Sequence, residues 1–127
     1  MANKIITAAN APAPIGPYSQ AVLANGVLYV SGQIALDPTT GDLVQTDIQT
    51  ETHQVMKNLE AILKEAGMSF AHVAKCTIFV KDLNNFASIN QVYGSYFTQN
   101  PPARETVEVS RLPKDVNVEI SCIAVPA

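Results

Sequence analysis

An arginine that follows a pair of prolines into a strand is a candidate grip for a carboxylate. Arg104 has that setting, within Pro101-Pro102-Ala103-Arg104-Glu105-Thr106-Val107. The prolines cannot donate to a ladder and so shape the approach to the strand. The guanidinium beyond them offers a planar fork that matches a carboxylate with two parallel hydrogen bonds. Glu119 is the second candidate. It stands between Val118 and Ile120, on the side of its strand that carries Asn117 and Ser121, and a carboxylate set mid-strand can position a water or move a proton. A third group comes from Ala13-Pro14-Ile15-Gly16-Pro17-Tyr18-Ser19-Gln20 and Ser31-Gly32-Gln33. Tyr18 supplies a phenolic donor from a proline-shaped loop, and Ser31-Gly32 sets a hydroxyl beside closely approachable backbone. On residue type alone plainer readings stand beside these. Arg104 reads as a structural ion pair or a solvated edge, and Glu119 as the exposed side of an alternating strand.

The elements that must carry these residues follow from spacing. Ala21 to Ala24 and Val27 to Val30 flank Asn25-Gly26, the signature of a hairpin closed by a type I′ turn. Ser31-Gly32 is expected to end the second strand, with a turn-rich loop at Asp37 to Asp42. Val55, Met56, Leu59, Ile62, Leu63 and Ala66 recur at helical spacing, which predicts a helix from about Ile48 to Ala66. Thr46 or Asp47 can cap its start, Thr46 forming a capping box with Gln49, and Gly67 can end it. Val73 to Lys81 reads as a strand. A second helix fits Leu83 to Phe97, capped by Asp82, with Phe86, Ile89, Tyr93 and Phe97 on its apolar stripe. Strands at Arg104 to Val109 and Val116 to Val125 complete the series, with a further short strand at Lys4 to Thr7. The order predicts an α+β domain spanning 1–127, with two helices packed on one face of a mixed sheet. In the last strand Val116, Val118, Ile120, Cys122 and Ala124 share the covered side. Asn117, Glu119, Ser121, Ile123 and Val125 then share a part-polar face, which suits a subunit interface with a site built into it.

Composition narrows the class. The chain has 127 residues, enough for a core without staples, with 47% hydrophobic and only 15% charged residues. Few charges on a small apolar domain point to surface hidden in an oligomer. The net charge is −3, and the eight lysines and arginines form no run, which argues against a nucleic-acid partner. Cys76 and Cys122 do not make a disulfide framework and read as buried reduced thiols. No apolar run reaches membrane-spanning length, and Ile5-Ile6 is too short for a signal-peptide core, so a cytoplasmic protein is expected. There is no GxGxxG, GxxxxGK[ST] or HExxH, and no Cys or His pair at zinc-ligand spacing. His53 and His72 each stand alone and read as surface or structural residues.

Taken together, several stretches resemble the Rid family of reactive intermediate deaminases, and its RidA-type members in particular. They are Ala13 to Gln20, Ser31-Gly32-Gln33-Ile34, Phe79-Val80-Lys81-Asp82-Leu83, Pro102-Ala103-Arg104, and Val107 to Val116 running into Glu119. No single motif is specific, but their order and spacing cover essentially the whole chain. The resemblance implies a chorismate-mutase-like α+β fold, a six-stranded mixed sheet, and a homotrimer with sites between subunits. It implies hydrolysis of 2-imino acids (2-iminopropanoate and 2-iminobutanoate) or their enamine tautomers to 2-oxo acids and ammonia, without cofactor or metal. Such intermediates arise when pyridoxal-phosphate enzymes dehydrate serine or threonine. By position, Arg104 would bind the substrate carboxylate, and Glu119 would hold the attacking water or manage protons. Tyr18, Ser31 and Asn90 would line the pocket, and backbone at Gly32 and Thr106 would contact substrate or water.

The sequence departs from the family pattern at Thr106, where many relatives have cysteine; a backbone role survives that change and a thiol role does not. The loop before Pro101 is also shorter than in some relatives. Two other functions remain beside the deaminase. One is a non-catalytic regulator or chaperone that binds a metabolite in the same cleft; the other is an endoribonuclease, against which the acidic balance and the lack of a histidine pair both count.

Overall fold

The computed structural model describes residues 3–126. Six strands form one sheet: β1 (Lys4–Ile6), β2 (Ala21–Ala24), β3 (Val27–Gln33), β4 (Val73–Val80), β5 (Ala103–Glu108) and β6 (Val118–Ala124). Their spatial order is β1-β2-β3-β6-β4-β5. The neighbours are antiparallel except for β4 and β5, which run parallel. A parallel pair needs a crossover, and helix α2 (Phe86–Ser95) lies within it; helix α1 (Ile48–Glu65) joins β3 to β4. Short 3₁₀ turns occupy Phe70–His72, Leu83–Asn85 and Pro113–Asp115.

The expected mixed α+β sheet is therefore present, and one side of it holds the core. Leu28 and Val30 of β3, Cys76, Ile78 and Val80 of β4, and Val118, Ile120, Cys122 and Ala124 of β6 pack with Val55, Met56, Leu59, Ile62 and Leu63 of α1 and with Ile89 and Tyr93 of α2. The turn at Asn25-Gly26 has φ of 50° and 79°, the positive pair that a type I′ hairpin requires. Asp47 caps α1 by accepting from the Thr50 N–H at 2.7 Å. Gly67, with φ of 74°, follows its C-terminus.

Several boundaries differ from expectation for identifiable reasons. Ser31-Gly32 does not end β3; the strand runs on to Gln33 through an irregularity. Asp47 alone caps α1, so Thr46 forms no capping box and Gln49 instead donates to Gln91. Asp82 caps the 3₁₀ turn at Leu83–Asn85 and not the helix itself. Phe86 is 40% exposed and leaves the apolar stripe, where Val92 is buried instead. Val116 lies outside β6, in a smaller cluster with Ile34, Leu36 and Leu112. Asn117 turns its side chain toward Glu51 of α1 rather than joining the open face.

Asn58 of α1 ties this core to the chain after β3. Its buried amide donates to the Ile34 and Leu36 carbonyls, each at 3.0 Å. Asn58→Ala removes a donor from both carbonyls inside the protein, and the expected cost is about 2 kcal/mol. A urea midpoint that falls accordingly, with an unchanged slope, is the measurement that checks this.

Candidate active site

Tyr18, Ser31, Gly32 and Glu119 come together around a cleft of about 290 Å³, which Ile15, Ile34 and Pro113 also line. Local pairing explains how. Val30 faces Cys122 and Gln33 faces Ile120, so Ser31 and Gly32 together oppose the single residue Ser121. That two-against-one count is a β-bulge, a device that bends a strand and re-aims its side chains. It sets Gly32 against the carboxylate next to Ser121. A Cβ on Gly32 would lie 2.7 Å from both Cδ and Oε2 of Glu119, so only glycine leaves the carboxylate its place.

The loop carrying Tyr18 is held from both ends. Ser31 donates its hydroxyl to the Ser19 carbonyl at 2.6 Å, and its N–H to the Gln20 carbonyl at 2.9 Å. Gln20 is buried. Its Nε2 donates to the carbonyls of Ala8, Ala11 and Pro12, and its Oε1 accepts from the Ala8 N–H. Sequence reasoning missed this role; the only signal was a polar side chain between the loop and an apolar strand. The Tyr18 oxygen accepts from the Ile15 N–H at 3.2 Å, which leaves its own O–H to donate. Glu119 is half-buried, and burial pushes its carboxyl above the ordinary value. The ion pairs among the described residues, Lys75–Glu105 and Arg111–Asp115, lie elsewhere.

Arg104 belongs to a different place. It pairs in register with Cys76, so it projects toward the helices from the edge strand β5. Its Nη1 donates to Asn90 Oδ1 of α2 at 2.7 Å. Its Cζ lies 5.0 Å from the Tyr93 ring centroid and 5.5 Å from that of Phe86. Cation–π contact and a fixed acceptor orient the fork without neutralising it. Phe86, absent from the core, finds its use here. Thr106, two residues on, has a buried hydroxyl without a hydrogen-bonding partner. The phenol of Tyr93 is pushed up by burial and by the neighbouring Cys76. Burial likewise raises the thiols, Cys122 to about 12, so both free cysteines stay protonated.

The predicted site is thus split. Tyr18, Ser31, Gly32 and Glu119 form one group on the open face. Arg104, Asn90 and Thr106 form another on the helix-bearing side, and a single chain does not join them. The histidines have structural partners. His53 Nδ1 meets the Tyr96 hydroxyl at 2.9 Å, and His72 Nδ1 accepts from the Ser69 N–H at 3.0 Å.

Residues 8–126 match the family described as Endoribonuclease L-PSP. The chain belongs to that family. Among its members, the chain is 53% identical over 121 residues to a RutC family protein of Pyrococcus horikoshii, covering 95% of this chain and 96% of that one. It is 48% identical over 122 residues to the 2-iminobutanoate/2-iminopropanoate deaminase of Rattus norvegicus, covering 96% and 89%. The fold superposes with a TM-score of 0.96 on the Rid-family protein YyfA of Yersinia pestis, at 50% identity and covering 98% and 100%. It superposes with a TM-score of 0.94 on Escherichia coli TdcF with bound serine, at 42% identity and covering 98% and 99%. Family membership and fold agree with the resemblance read from the motifs.

Two expectations follow from the cleft. In Gly32→Ala the new methyl displaces the Glu119 carboxylate, the flexible end of a side chain, so the thermal midpoint moves little while the carboxylate moves. A crystal structure of that variant with Glu119 still against residue 32 contradicts the account. The second concerns pH. A carboxyl with a raised folded-state pKa holds its proton more tightly in the folded chain. Its stabilising contribution is complete at low pH and is lost as pH rises through that raised value. Glu119→Gln should therefore gain stability relative to the parent protein between about pH 4 and about pH 8, as read by denaturant titration at both.

Proposed function

We propose that this protein is a cytoplasmic deaminase that hydrolyses 2-iminopropanoate, 2-iminobutanoate and their enamine tautomers to 2-oxo acids and ammonia. Its sites lie between the subunits of a homotrimer, and it removes reactive products of amino-acid dehydration. The observation that carries this reading is the split site. A half-buried carboxylate faces an open cleft, an oriented guanidinium faces a different edge, and each lacks what the other supplies. Two copies of the chain can bring them together. The deaminase name of the rat relative supports the chemistry, and the serine bound to TdcF supports a small carboxylate ligand.

The mechanism asks little of the protein. Arg104 takes the substrate carboxylate on the edge of its fork that Asn90 does not occupy, which sets the C=N carbon over the cleft of the neighbouring subunit. Orientation of this kind replaces most of the entropy a bimolecular encounter would cost. The substrate reacts as the protonated imine: Glu119 accepts a proton from water as the water oxygen bonds to that carbon, and the C=N electron pair moves onto nitrogen, leaving a neutral amine. The carboxyl then returns its proton to nitrogen. The C–N bond breaks, ammonia leaves, and loss of the hydroxyl proton completes the 2-oxo acid. A carboxyl with a raised pKa suits both transfers. Tyr18 lines the pocket with its O–H, the Ser31 hydroxyl braces the Tyr18 loop, and the backbone at Gly32 and Thr106 takes the role of contacting substrate or water.

The test uses a dehydratase to generate the imine and follows release of the 2-oxo acid above the spontaneous rate. Arg104→Ala and Glu119→Gln should each lose a hundredfold or more, on the order of what a positioned acid–base group supplies, with assembly intact. Co-assembling the two inactive chains should restore about one quarter of the sites if subunits mix at random and each site draws on two of them. Parent protein that leaves the spontaneous rate unchanged overturns the deaminase reading in favour of a metabolite-binding role. Mixed assemblies that stay inactive overturn the shared site.

A further inference from the structure

We infer that Glu51 is a positioning residue for Glu119, acting through Asn117; the effect on turnover rests on the deaminase reading, but the geometry does not. Glu51 lies in the first turn of α1 and is 0% exposed. Its partner is not a cation. Oε2 accepts the backbone N–H of Asn117 at 2.8 Å, and Oε1 accepts Asn117 Nδ2 at 2.8 Å. The carbonyl of Asn117 accepts the Lys81 N–H at 3.0 Å. One residue, immediately before β6, is thus gripped from α1 on its donor side and from the end of β4 on its acceptor side.

The location gives this grip its purpose. Asn117 stands between Pro113 and Glu119, both of which line the cleft. The turn between them is strained: Lys114 and Asp115 are consecutive non-glycine residues at φ of 56° and 55°. Left-handed conformations at such residues persist only where the surroundings hold them. Strand phase is also at stake. Side chains alternate with period two, so a slip of one residue at the start of β6 would carry Glu119 into the core. A buried carboxylate is a costly way to add stability alone. Charge-assisted bonds to two donors on one residue instead hold that residue firmly, and the positive end of the helix dipole favours an acid in this first turn.

Because Arg104 binds the substrate carboxylate from the other group, loosening Asn117 should disturb water placement and not substrate capture. Glu51→Ala is expected to lower kcat per folded site on the order of tenfold to a hundredfold, the scale of a misplaced reacting group, with KM within about twofold. Glu51→Gln should retain most activity, since the Asn117 amide can turn over to meet it with both hydrogen bonds kept. Asn117→Ala keeps only the backbone bond and should fall between. Leu59→Ala, a core truncation, is the control for stability and should keep kcat per folded site. Where Glu51→Ala fails to fold, Asn117→Ala carries the test. NMR titration of the Glu119 carboxyl reads position without substrate: it should change in Glu51→Ala and return toward the parent value in Glu51→Gln. An unchanged titration together with a kcat loss no greater than that of Leu59→Ala overturns the inference. Parent protein without imine turnover but with a titration that responds to Glu51 overturns the deaminase reading alone.

Discussion

The alternation of side chains along β6 is the constraint from which the rest follows. Val118, Ile120, Cys122 and Ala124 are all buried against the helices. A strand with that face covered must present Glu119, Ser121 and Ile123 on the other side. The core, which supplies most of the folding energy, thereby decides where the Glu119 carboxylate points. Packing and chemistry are not separate demands here; a single register satisfies both. The central position of β6, between β3 and β4, makes that register hard to shift, because neighbours on both sides share it.

The same rule accounts for the division of the site. Arg104 is paired with Cys76, whose side chain belongs to the core, so the arginine is committed to the helix side before any ligand is considered. There α2 furnishes Asn90 as an acceptor, with Phe86 and Tyr93 as aromatic surfaces. On the open face the bulge at Ser31-Gly32 and the Gln20 strap build a cleft around Glu119. Each half is preorganised by its own neighbours. Bringing them together then requires only that two rigid surfaces meet, with little ordering left to be done on binding.

Much of this was legible in the residues. Asn25-Gly26 announced its hairpin because positive φ is a property of those residue types. The apolar spacing from Val55 to Leu63 announced α1 because a helix face must be covered. The family resemblance put Tyr18, Ser31, Gly32, Glu119, Arg104, Asn90 and Thr106 in one site; the chain gathers the first four around one cleft and holds the other three on the helix side. What stayed hidden depended on partners distant in sequence. The bulge at Ser31-Gly32 exists only against Ser121, so a local reading ended the strand there. Phe86 looked like core because hydrophobicity does not say whether a ring meets aliphatic side chains or a guanidinium. Nothing local singles out Glu51, since its partner is 66 residues away. The faces of β5 and β6 come from pairing and coverage, and no motif encodes them.

Cys76 and Cys122 face each other across β4 and β6, on the helix side from which Arg104 projects. Both thiols are buried and held protonated. The thiolate is the form that attacks electrophiles, and residue 106, beside Arg104, is threonine. A protein that handles imines and enamines is exposed to self-inactivation, because such molecules capture good nucleophiles. Here both thiols are buried, and residue 106 carries none. The two cysteines give the core dense, polarisable packing without offering a thiolate, so a deaminase of the kind proposed would present no sulfur nucleophile to its own substrate.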